Sequence, residues 1–219
     1  MEEVNYIRLG KKVLIYCLGL FIVALGVSFS VKSDLGVSPV NSIPYVVSLK
    51  TGIEQGMCVT AIFIGFIALQ FVISPKTFRL KNLLQIVGST VFGYFVTAAN
   101  QLTVGIPACS NYPMRLLYLL ISMILIAIGV SLYLKPNLLP LPAEGIMQAL
   151  VDRFGIKFPN AKTGVDTTMV IVAAILSFLF FGKLNGVREG TIIAAIGIGQ
   201  IVKVWNRIAG DKIDCFLKE

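Results

Sequence analysis

The 219 residues are 56% hydrophobic and only 14% charged, with a mean hydropathy of +0.85. Soluble domains carry about 25% charged residues, so a soluble globule, a disordered chain and a nucleic-acid binder are set aside and the chain is read as an integral membrane protein. The excess of 19 Lys and Arg over 11 Asp and Glu is scattered between apolar runs, the pattern of basic loops retained in the cytoplasm.

Arg8, Lys11 and Lys12 precede an apolar stretch and Ser28-Phe29-Ser30 is a small-x-small sequence, which together imitate a secretory signal. A related segment recurs inside the chain, so this stretch is expected to stay as a span. The apolar run at about 13–31 is long enough to cross a bilayer at ~20 residues per crossing. A polar link with Leu35-Gly36-Val37-Ser38-Pro39 follows. A short helix over about 39–50 is expected next, because Pro is favoured in a first helical turn. Two more spans follow at about 56–74 and 83–105.

The same order then repeats. Gly26-Val27-Ser28 corresponds to Gly129-Val130-Ser131, Lys32 to Lys135, Leu35 to Leu138, Pro39 to Pro142, Ile43 to Ile146 and Gly52-Ile53 to Gly155-Ile156, all at one offset. Slightly larger offsets pair Gly56 with Gly164, Thr60 with Thr168, Gly93 with Gly199 and Asn100 with Asn206. Residues 1–106 and 107–219 are therefore read as two repeats in one membrane domain. The second has spans at about 115–134, 164–182 and 189–207, a short helix at about 142–153 and a short cytoplasmic tail.

At ~1.5 Å per residue, a 12-residue helix covers only ~18 Å of a ~30 Å hydrocarbon core. The short helices are accordingly expected to be re-entrant or interfacial, leaving three crossings per repeat. An odd number turns the second repeat upside down, the arrangement of many carriers. The basic residues agree: with six crossings, all but Lys32, Lys50, Arg115, Lys183 and Arg188 fall on the side of both termini, which is then cytoplasmic. Eight crossings would carry Lys76, Arg79 and Lys81 across and weaken the bias.

This succession of motifs resembles the YczE/YitT group of bacterial multi-pass membrane proteins, the YczE branch in particular. The likeness covers nearly the whole chain. It is carried by the Gly26-Val27-Ser28 turn and Leu35-Gly36-x-x-Pro39 link, by Pro142-Ala143-Glu144-Gly145, by Lys162 four residues before Asp166, and by Gly190-Thr191 with Ala195 and Gly199. Asn41 stands where similar proteins often have Asp, and Leu138-Leu139-Pro140 replaces the Leu-Gly-x of the second link. The resemblance implies a bacterial inner (plasma) membrane location and an architecture, and no substrate.

Glu144 is the sharpest candidate for chemistry. A carboxyl at membrane depth is costly unless it binds something or is protonated, although an acid in a first helical turn also stabilises its own helix dipole. Asp166 with Lys162 is either a charge-compensated gate or an i,i+4 surface pair worth ~0.2–0.5 kcal/mol. Ser38, Asn41 and Ser42 open the first short helix; if both short helices are re-entrant, their free backbone donors form an anion site lined by Asn41, Ser42 and Glu144. Gln70, Gln85, Asn100, Gln101 and Gln200 are expected to join helices, as are the small faces of Gly19, Gly65, Gly88, Gly93, Gly129, Gly197 and Gly199.

No His, no metal-like cysteine spacing among Cys17, Cys58, Cys109 and Cys215, and no nucleophile with a nearby base are present. An enzyme is not expected, nor is a cofactor or bound metal. The expected function is a secondary carrier or facilitator of a small polar solute, embedded in the lipid bilayer, with a homodimer compatible with three spans per repeat. The alternatives are a substrate-capture subunit of an ATP-driven uptake system, which would need an exposed coupling surface of small residues, and a membrane scaffold or assembly factor.

Overall fold

The computed structural model describes residues 6–107, 109 and 111–218, and among them every regular element is helical. The helices are α1 (Tyr6–Ser33), α2 (Pro39–Thr51), α3 (Gln55–Ile73), the single turn α4 (Leu80–Leu83), α5 (Gln85–Leu102), α6 (Tyr112–Leu134), α7 (Pro142–Phe154), α8 (Phe158–Phe181) and α9 (Glu189–Lys218). Six segments are long and apolar enough to cross a membrane, namely α1, α3, α4 with α5, α6, α8 and the first part of α9. Large exposed apolar side chains along them, among them Leu18, Ile64, Val72, Phe178, Leu179 and Ile196, fit a surface solvated by lipid tails.

Local chemistry places the two short helices. Each opens with Pro in its first turn and closes on a left-handed glycine, Gly52 at φ 71° and Gly155 at φ 64°, whose N–H returns to Ser48 and Val151 respectively. α8 begins at Phe158, about six residues before the start expected at 164, because Pro159 nucleates the first turn. Asp166 is consequently two turns inside α8, one turn deeper than the sequence suggested.

The centre of the molecule is the α1–α6 pair. Gly19 lies against the backbone of Gly129 and Tyr133, and Gly26 against Ser122 and Ile126, so the two helices run antiparallel at backbone contact. Around this post the two halves make matching contacts: α2 packs along α8 and α7 along α3, each short helix lying on a long helix of the other half. Ser28 bonds Asn100 and Ser131 bonds Asn206; Lys32 donates to the carbonyl of Ile106 and Lys135 to that of Gly210. Asp34 and Asn137, at equivalent positions, are the two non-glycine residues with positive φ among the described residues, 52° and 50°.

Of the five amides expected to join helices, Gln70, Gln85 and Asn100 do so, whereas Gln101 and Gln200 are exposed. Gln70 donates to Gln85 at 2.9 Å and to the carbonyl of Pro142 at 3.0 Å, tying α3, α5 and α7 together, and Asn100 donates to Gln55 at 3.1 Å. The glycines divide. Gly56 and Gly93 face each other between α3 and α5, where a Cβ on either would strike the other's carbonyl oxygen, and Gly88 and Gly197 pack beneath Tyr16 and Met123. Gly65, Gly164 and Gly199 face open space. Gly164 and Gly199 are the counterparts of Gly56 and Gly93, and no packing comparable to α3 on α5 joins α8 to α9. The close contact expected of Gly199 is therefore absent.

Charged contacts sort by end. At one end Asp34 pairs with Arg115 at 3.0 Å and Arg188 at 3.1 Å, and the Lys50 ammonium lies over Phe180. At the other, Lys135 pairs with Asp214, the Lys11 ammonium lies over Phe216 and Arg8 donates to the carbonyl of Leu217. Each set joins residues that the six-crossing assignment places on one side.

Candidate functional site around Glu144

Glu144 lies in the first turn of α7, where the helix N-terminus favours a negative charge. Its Oε1 accepts the hydroxyl of Tyr133, from the last turn of α6, at 2.6 Å. The Tyr133 ring meets that of Tyr16 on α1 edge to face, 6.2 Å between centroids. Glu144 Oε2 is buried with no hydrogen-bond partner.

Two cavities flank the α6–α7 link at Leu138, Leu139 and Pro140. One, of about 260 Å³, is lined by Tyr133, Asn137, Glu144, Gln148 and Phe158 besides the link. The other, of about 290 Å³, lies on the side of Gln70, Lys81, Asn82, Gln85 and Asp152. Gln148 borders both.

The equivalent link between α1 and α2 is closed by backbone bonds. Val37 donates its N–H to the carbonyl of Gly186 at 3.0 Å and Gly190 donates to that of Leu35 at 2.8 Å, zipping the link onto the start of α9. Gly36, at φ 104°, sits against Arg188 and Thr191 where no side chain fits, and Arg188 also donates to the carbonyl of Asp34. Leu35 and Val37 are each 1% exposed. In the second link Leu139 replaces Gly36 and Pro140 replaces Val37. Proline has no N–H to donate and a leucine resists the left-handed region, so the same zipper cannot form there. The departure noticed in the sequence is thus a chemical difference between the two ends.

The other residues singled out in the sequence fall as follows. Lys162 donates to Asp166 Oδ2 at 2.7 Å along α8, leaving Oδ1 buried and unpartnered. Asn41 Nδ2 donates to Ser38 Oγ at 3.0 Å, and Asn41 Oδ1 is likewise buried and unpartnered. Ser42 donates to the carbonyl of Pro39 within its own first turn. No hydrogen bond or ion pair links Ser38, Asn41 or Ser42 to Glu144, Lys162 or Asp166 among the described residues. The sequence missed Tyr133; a tyrosine closing an apolar span eleven residues before a buried acid was the available signal. It also missed the Asp34–Arg115–Arg188 clasp.

A profile described as a family of unknown function, DUF6198, matches residues 10–207. The chain belongs to this family. It is 27% identical over 192 residues to the uncharacterised membrane protein YczE of Bacillus subtilis strain 168, covering 86% of this chain and 82% of that protein. It is 25% identical over 200 residues to an uncharacterised protein of Haemophilus influenzae strain Rd, covering 90% and 84%. No solved structure matches. The YczE likeness read from the motifs is borne out, and the relatives are uncharacterised.

Proposed function

We propose that this DUF6198 protein is a secondary carrier or facilitator of a small polar solute, made of two inverted repeats with a site at the short helices. The observation that carries the reading is Glu144, a carboxylate within the helical bundle, held on one oxygen by Tyr133 and unpartnered on the other, at the wall of a 260 Å³ cavity. Ionisable groups inside a membrane bundle mark solute and ion pathways. The antiparallel α1–α6 post and the matching contacts around it support repeats of opposite orientation, and motion of one against the other would give alternating access. The distribution of basic residues supports cytoplasmic termini in a bacterial inner membrane, which puts the cavity-flanked α6–α7 link on the cytoplasmic side and the zipped α1–α2 link outside. Asn41, Ser38, Ser42, Asp166 and Lys162 are assigned to the proposed site by their places at the N-terminal end of α2 and in the N-terminal half of α8.

The test is thermal stability of the purified protein across a panel of small polar metabolites, wild type against Glu144→Gln. A solute at 100 times its Kd adds about 2.7 kcal/mol to the folded state. Stabilisation by one metabolite, lost in Glu144→Gln, is the expected result. A panel with no stabilising solute would overturn the carrier reading in favour of a scaffold.

A further inference from the structure

We propose that the site takes one monovalent cation, an alkali metal ion or a protonated amine, held by side-chain oxygens of Asn41, Glu144 and Asp166. This rests on the carrier reading above and adds a cation to the same site.

Native proteins pair nearly all their buried polar atoms. Among the described residues six buried side-chain atoms lack a partner, and three are oxygen acceptors: Asn41 Oδ1, Glu144 Oε2 and Asp166 Oδ1. The others, Tyr16 Oη, Gln55 Nε2 and Trp205 Nε1, belong to α1, α3 and α9. Asn41 and Asp166 are 5% and 6% exposed, so bulk water does not satisfy them.

The three oxygens come from elements that pack together, α2 on α8 and α7 on α8. Each residue directly follows a member of one apolar layer, Asn41 after Val40, Glu144 after Ala143 and Asp166 after Val165. One small region therefore has acceptors in excess.

The balance of charge sets the ligand. With Glu144 and Asp166 both ionised, they and the Lys162 ammonium sum to −1, which one monovalent cation neutralises, whereas a divalent ion would leave an excess positive charge. Carboxylate and amide oxygens are hard donors suited to alkali ions and to N–H groups. Helix N-termini favour anions, but the first turn of α7 already holds its own, the Glu144 carboxylate. The expectation of an external anion is replaced by that of a cation. Asn41 at the position equivalent to Glu144 makes the site singly charged; an acid there would call for a second cation.

The experiment is thermal unfolding of the purified full chain in chlorides of lithium, sodium, potassium, methylammonium and N-methylglucamine at equal ionic strength, with no metabolite added. One small cation should raise the melting temperature saturably while N-methylglucamine does not, and an alkali ion or methylammonium as the active arm tells the two sources apart. Glu144→Gln and Asn41→Ala should each weaken the apparent affinity about tenfold, ~1.4 kcal/mol. If Glu144→Gln does not fold, the uncharged Asn41→Ala carries the test. Identical melting in every chloride, or a shift unchanged in the folded variants, overturns the proposal. A metabolite shift equal in every chloride would leave the carrier standing and remove the cation; a cation shift with no metabolite shift would do the reverse.

Discussion

Ser28 donates its hydroxyl to the side-chain oxygen of Asn100 at 2.5 Å, and the equivalent Ser131 makes the same bond to Asn206. The first ties α1 to α5 and the second α6 to α9, so one hydrogen bond fixes the third span of each half to its first. Ser28→Ala and Ser131→Ala should each cost about 0.5–1.5 kcal/mol, the usual net worth of such a bond. Double-mutant cycles with Asn100→Ala and Asn206→Ala should give coupling energies of similar size in both halves. A coupling confined to one half would show that the two halves are held differently.

Tyr133→Phe removes the donor to Glu144 Oε1 and leaves both carboxylate oxygens unpartnered. Leaving such a group buried costs about 1–3 kcal/mol, so the variant should melt measurably lower than wild type. The double variant Tyr133→Phe/Glu144→Gln should recover part of the loss, because an amide is cheaper to bury than a carboxylate. Full additivity of the two losses would show that the residues are not coupled.

Gly93→Ala and Gly199→Ala are the same change at equivalent positions and should have opposite signs. At Gly93 the added methyl meets α3, with an overpacking cost of about 1–3 kcal/mol. At Gly199 it meets nothing, and helix propensity favours Ala by about 0.5–1 kcal/mol. Unfolding midpoints of the two variants decide it; equal destabilisation would mean that α8 and α9 are packed after all.

Six spans and two short helices were legible because hydropathy, Pro at helix starts and Gly at helix ends are local signals. The offset between halves, read from the sequence, has a parallel in the bonds of Ser28 to Asn100 and of Ser131 to Asn206. The Tyr133–Glu144 bond was not legible, because nothing in a period of apolar residues says which end of a span meets which short helix. Gly199 misled for the opposite reason: it carries the small-residue pattern of Gly93, but whether a small face is covered depends on where a neighbouring helix lies, and α8 lies elsewhere. The start of α8 was placed late because Phe158-Pro159-Asn160 reads as loop composition until Pro159 is recognised as a first-turn residue.

Cys109 and Cys215 test the side of the termini. Cys109 precedes α6, after three crossings, and Cys215 lies near the end of α9, after six. An impermeant maleimide should label Cys109 in intact spheroplasts and Cys215 only after permeabilisation. Burial pushes the Cys109 thiol above its usual range, so less of it is thiolate at neutral pH and its labelling should quicken as pH rises. The reverse sidedness would place the termini outside.

Gly36→Ala should be among the most damaging single changes outside the α1–α6 post. It strains a φ of 104° and drives a methyl into Arg188 and Thr191, together about 1–3 kcal/mol or more. Leu139→Ala, at the equivalent position beside the cavities, leaves that backbone untouched and should be much milder. Chemical unfolding of the two variants measures the difference.

In the proposed carrier the two links would also set unequal thresholds for entry. A solute arriving by the α6–α7 link would find the cavities there, whereas one arriving by the α1–α2 link would first have to part the bonds of Val37 to Gly186 and of Gly190 to Leu35. At about 0.5–1.5 kcal/mol net each, that is a barrier of ~1–3 kcal/mol, or roughly five- to 150-fold in the rate of entry. Equilibrium distribution across the membrane is untouched by such a threshold, but the time needed to reach it is not. Since part of the difference is the N–H that Pro140 lacks, replacing other side chains around the second link cannot supply that donor; only a change of residue 140 itself can.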